Sequence, residues 1–118
     1  MSKDVRECIR GFFAAVKTGE TKTLKPYIQK TWLLNHYSQG DLDAIIALYD
    51  GYSLKRIVET YIIGKLFFSA KIEIMDAKGK PHHVTCRLIK EEAAFKPCET
   101  GTWGINPVSF KQVKYKKM

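Results

Sequence analysis

Apolar residues Val5, Cys8, Ile9, Phe12, Phe13 and Val16 recur every three or four positions. That spacing predicts an amphipathic helix over residues 4–17. Asp4 is placed to cap its N-terminus, with Glu7 completing a capping box, and Gly19 is placed to stop it. Gly11, inside the helix, costs up to about 1 kcal/mol relative to Ala, so close packing of another element is expected there. Leu24, Tyr27 and Ile28 form one apolar patch and Trp32, Leu33 and Tyr37 another, which predicts one or two short helices over 20–37. Pro26 belongs in a first helical turn. Residues 38–41 read as a break. Asp41 then caps a helix that buries Leu42, Ile45, Ile46 and Tyr49 and ends at Asp50 and Gly51.

From Ser53 the period changes. Residues 54–63 are rich in β-branched and aromatic side chains, and 66–76 end in strict alternation, with Ala70, Ile72 and Ile74 against Lys71, Glu73 and Met75. Residues 76–80 form a turn with Gly79. A return strand over 81–91 sets Val84, Cys86 and Leu88 against Thr85 and Arg87. Residues 92–101 read as a loop. The last strand runs over 102–113 and is interrupted by Pro107, which implies an edge, bend or bulge. Helices first and antiparallel strands last predict an α+β domain: N-terminal helices packed on a curved, roughly four-stranded sheet.

Length and composition bound the rest. A chain of 118 residues, 45% hydrophobic and 27% charged, is one globular domain over 1–118, with 111–118 a basic tail. Its apolar runs are too short to span a bilayer. No secretory signal opens it, so a cytoplasmic location and no membrane partner are expected. Cys8, Cys86 and Cys98 have no metal or redox spacing and read as reduced thiols. The net charge of +8 favours acidic partners. Its lysines are scattered, however, and the tight cluster Lys111, Lys114, Lys116 and Lys117 reads as a solvated end.

The opening helix with 12–20, the hairpin of 71–75 and 84–91, and Gly101, Thr102, Trp103, Gly104 and Ile105 carry a resemblance. Together they resemble the nuclear transport factor 2-like superfamily, a cone of the cystatin-like α+β kind. The likeness is to its small bacterial members of unknown function and to its non-catalytic domains joined to transpeptidases. It covers nearly the whole chain through fold signals rather than catalytic signatures. It implies a cavity at one end of the cone and a homodimer through the sheet. It leaves function open, because the superfamily holds isomerases, dehydratases, carriers and non-catalytic domains.

Candidate chemistry is sparse. An acid–base site in the cone would draw on His36, Tyr37, Asp41, Tyr49, Tyr61, Glu73, His83 and Cys86, but no isomerase motif matches residue by residue, and no catalytic residue is assigned. Glu73 sits beside Lys71 on the polar strand face and reads as a surface charge paired across strands. His82 and His83 are adjacent on a strand and point to opposite faces; no metal site is read. Cys98 follows Lys96 and Pro97 without a partner histidine and reads as an ordinary thiol. No glycine-rich phosphate loop or other cofactor motif is present. Trp32, His36, Tyr37, Tyr49, Tyr61, His83 and Trp103 are the residues expected to rim a pocket for a small apolar ligand, although aromatics at such spacing are more often core. Lys55, Arg56, Lys71, Arg87 and Lys90 would serve nucleic acid only if aromatics lay outside with them. The reading is therefore a non-catalytic ligand-binding or protein-interaction module. A small-molecule isomerase, dehydratase or hydrolase is the alternative, and nucleic-acid binding comes third.

Overall fold

The computed structural model of the chain describes residues 2–35 and 39–107, with the backbone alone described at 2–4, 35, 39–41 and 61–63. Helix α1 (Ser2–Thr18) opens it, followed by α2 (Thr21–Leu24), a 3-10 turn (Lys25–Tyr27), α3 (Lys30–Asn35) and α4 (Gln39–Leu48). Strands β1 (Ser53–Gly64), β2 (Phe67–Met75), β3 (Pro81–Ala93), β4 (Lys96–Pro97) and β5 (Thr102–Ile105) follow. The α+β architecture is the expected one: helices packed on a curled antiparallel sheet. Its strands run β1-β2-β3-β4, with β5 also paired to β3.

The stripe on α1 is the heart of the core. Val5, Ile9, Phe12 and Phe13 are at most 3% exposed, and burying each contributes about 1.5–3 kcal/mol. Phe12 and Phe13 meet Tyr49 edge to face at 5.7 and 6.2 Å between ring centres. The ring of Tyr27 lies directly over Gly11, where any Cβ would collide with it. That close approach explains a glycine within a helix. Helix α1 begins at Ser2, so Asp4 lies inside it rather than capping it; Gly19 ends it with φ +74°. Likewise α4 starts at Gln39, which places Asp41 in its first turn and shortens the expected break. Pro26 falls in the 3-10 turn.

The sheet obeys its alternation. Ala70, Ile72 and Ile74 pair with Cys86, Val84 and His82 on the face toward α1. Lys71, Glu73 and Ser69 pair with Thr85, His83 and Arg87 on the outer face. Strand β3 runs on to Ala93, and β4 turns back on it, so the expected loop is in part a tight hairpin. At its turn Phe95 takes φ +61°. Strand β5 ends at Ile105, where the backbone of Ile28 bridges it in parallel. The expected strand does not continue through Asn106 and Pro107, and its remainder to 113 and the tail lysines lie outside the described residues. No helix among the described residues is long and apolar enough to cross a membrane.

The β2–β3 turn is held by Asp76. Its Oδ1 accepts the N–H groups of Lys78 and Lys80, each at 2.9 Å, and its Oδ2 lies 2.9 Å from Nε2 of His82. The His82 hydrogen bond first, then the Lys80 N–H, hold the carboxyl down at about 2. A carboxyl lowered on folding stabilises the native state above its unfolded value, and that contribution fades as pH falls through the folded one. Between about pH 4 and pH 2, wild type should therefore lose stability that Asp76→Asn never had. Urea midpoints measured at about pH 6 and pH 3 should fall further for wild type than for the variant. Equal falls would mean that the carboxylate does not hold the turn.

Candidate anion-binding groove

Helix α1 carries a second stripe beside its apolar one. Arg6, Arg10, Ala14 and Lys17 follow one another at helical spacing along one flank. That flank faces the start of β1, and the two walls enclose a groove of about 550 Å³. From α1 come Arg6, Arg10 and Lys17; from β1 come Lys55 and Arg56, and no carboxylate is among its lining residues. Phe13, Ala14, Leu54 and Ile57 supply the apolar part of its surface.

The charges in this groove are unevenly matched. Arg56 donates from Nε to Oε1 of Glu73 at 2.7 Å, and His83 Nε2 lies 3.5 Å from the other Glu73 oxygen. This Arg56–Glu73–His83 row crosses three neighbouring strands in register. The Arg56 hydrogen bond, with the charges of Arg56, Lys55 and His83, holds the Glu73 carboxyl below its ordinary range. Among the described residues, Arg6, Arg10, Lys17 and Lys55 enter no ion pair. Like charges four apart on a helix cost a few tenths of a kcal/mol, about 0.2–0.5. The Arg6–Arg10 pair is therefore no stabilising device, and α1 retains it while its apolar stripe holds the helix in place.

Among the described residues, several polar groups of the core are engaged in structure. Tyr49 is 0% exposed, and its hydroxyl donates to the Pro107 carbonyl at 2.8 Å. Burial raises that hydroxyl far above its ordinary value. Burial likewise pushes the Cys8 thiol up to about 12, and Cys86 is raised for the same reason. Cys8 Sγ donates to the carbonyls of Trp103 and Tyr27 at 3.4 and 3.6 Å. Glu91, only 1% exposed, looks catalytic until its partners are traced. Its Oε1 accepts the N–H groups of Lys30 and Thr31 at 2.7 and 3.3 Å, and Oε2 accepts the Thr31 hydroxyl. Strand β3 thereby caps the start of α3. Among the described residues, no three His, Cys, Asp or Glu side chains gather to hold a metal ion.

Among the described residues, the expected rim side chains Trp32, Tyr49, His83 and Trp103 lie apart from one another. Trp32 is half-buried against the core, and Tyr49 lies inside it. His83 is on the outer sheet face beside Glu73, and His82 faces the other way, beside Asp76 and the Tyr52 ring. Trp103 is 8% exposed, packs edge to face on Phe68, and borders a separate depression with Glu7 and Tyr27. The backbone of Tyr61 lies opposite Ser69, and its side chain lies outside the described residues. His36 and Tyr37 lie outside the described residues. The groove's own signal was present in the sequence: Arg6, Arg10 and Lys17 recur at helical spacing. Their joining to Lys55 and Arg56 depends on the packing of α1 against β1, across some forty residues of intervening chain. Comparison of the chain with models of known families, with curated proteins and with solved structures finds no match.

Proposed function

We propose that this chain is a non-catalytic interaction module that docks an anionic partner in the groove between α1 and β1. One observation carries the reading: five cationic residues, four of them outside any ion pair among the described residues, and no acidic residue line a groove of about 550 Å³. Fixed cations in a concave surface concentrate field lines and draw acidic partners. Among the described residues, several groups an enzyme could call on are engaged in structure: Glu91 in a helix cap, Tyr49 on a carbonyl, Cys8 and Cys86 within the core. The architecture fits the nuclear transport factor 2-like superfamily, with a homodimer formed through the outer sheet face. Three free cysteines suit a reducing cytoplasm.

The test is anisotropy of fluorescein-labelled polyglutamate. Binding should weaken steeply as salt rises, because exposed charges are screened beyond about 10 Å at 0.1 M. The double reversal Arg6→Glu and Arg10→Glu should weaken it by about tenfold or more. Reversing Lys114 and Lys116 in the tail should change it far less. Binding unaffected by the α1 reversal but lost with the tail reversal would sink the reading. Both α1 side chains are exposed, so thermal melting should hold steady across the series.

A further inference from the structure

Resting on that reading, we infer that the groove takes an acidic peptide segment of a partner protein, bound in extended form as an added strand along the outer edge of β1. Strand β1 stands at one end of the sheet order. Its first residues, 53–57, line the groove, so one wall is the edge of a sheet rather than a face. Among the described residues, no backbone hydrogen bond outside the β1–β2 pairing engages 53–57. A sheet edge presents outward N–H and C=O groups, which an extended chain can pair.

The opposite wall sets the sequence preference. Arg6 and Arg10 are one helical turn apart, a rise of about 6 Å. Alternate side chains of an extended strand are about 6.6 Å apart. Carboxylates at alternating positions of an added strand therefore meet successive cations of α1. Lys17 stands about 10 Å beyond Arg10 along the helix and continues the row. The occupant is thus an acidic segment of about five residues, the length of β1 exposed in the groove.

Other occupants fit less well. Single-stranded nucleic acid binds through bases stacked on exposed aromatics, whereas the groove's one aromatic, Phe13, is 3% exposed. The chain's own tail carries Lys111, Lys114, Lys116 and Lys117 and is repelled by the groove. A second β1 edge would bring the same cations together.

The experiment compares three labelled probes against the full chain at low salt. One is a peptide alternating glutamate and threonine. The second is the same peptide N-methylated at alternate amides, which keeps its charge and removes strand pairing. The third is oligo-dT of equal charge. The inference expects the first to bind about tenfold or more tightly than either of the others, with Arg6→Gln plus Arg10→Gln weakening it. These neutral replacements accompany the reversals in case the latter disturb folding. Equal binding of the two peptides would overturn strand addition while leaving the anion groove standing. Tighter binding of oligo-dT would overturn the peptide assignment in favour of nucleic acid. Failure of all three probes would remove the groove reading itself.

Discussion

Replacing Glu91 with Ala is expected to lower the folding free energy by about 3 kcal/mol, as three partly buried donors lose a buried acceptor at once. The carboxylate is 1% exposed and serves the Lys30 N–H, the Thr31 N–H and the Thr31 hydroxyl. The Thr31 hydroxyl in turn accepts the Phe95 N–H at 2.8 Å, so the β3–β4 turn is tied to the same cap. Alanine would take this acceptor from all three donors. Glu91→Gln keeps an acceptor for the two backbone donors, while the Thr31 hydroxyl can rotate to accept from the amide. It should cost about 1 kcal/mol. Urea denaturation of both variants at unchanged m-value would read the difference. An Ala variant within about 0.5 kcal/mol of wild type would mean that the cap contributes nothing net.

Gly104→Ala should destabilise the chain by about 3 kcal/mol, from overpacking of backbone on backbone. A Cβ at Gly104 would stand 2.7 Å from both N and Cα of Gln29 and 2.8 Å from the carbonyl carbon of Ile28. No flexible side chain is there to swing aside. Relief would require β5 to part from 28–29, giving up the Gln29 N–H to Ile105 carbonyl bond of 3.0 Å. Gly64→Ala is the control: no atom lies within 4 Å of its Cβ position, and the change should be neutral or stabilising by up to about 1 kcal/mol. Thermal melts of both variants decide it, and equal shifts would refute the contact argument.

Local periodicity made much of the fold legible. The α1 stripe, the alternation of Ala70, Ile72 and Ile74, the turn at Gly79 and the opposed directions of His82 and His83 each follow from spacing within a few residues. The pairing of Glu73 across strands follows from the same alternation, but the residue, expected at the surface, is 7% exposed beneath Arg56 and His83. What the sequence concealed depends on contacts between distant segments. Glu91 reads as the end of a strand, and nothing nearby says that it caps a helix 61 residues earlier. Gly104 reads as part of a turn, although its missing side chain admits the backbone of 28–29. The basic residues read as scattered because Arg6, Arg10 and Lys17 meet Lys55 and Arg56 only when α1 lies against β1. Of the aromatics expected at a pocket rim, Tyr49 instead packs edge to face on Phe12 and Phe13 inside the core, a contact between distant segments.

The pairing of β1 with β2 slips after Leu54, after Ile57 and again after Ile62. Each slip adds local twist to the strand, and those after Ile57 and Ile62, beyond the groove, break the even spacing that a second full-length β1 would need. Together with Lys55 and the arginines above it, these kinks discourage copies of the chain from joining edge to edge into a growing ribbon. At high concentration such ribbons should therefore not grow, because the β1 edge is protected by shape and by charge.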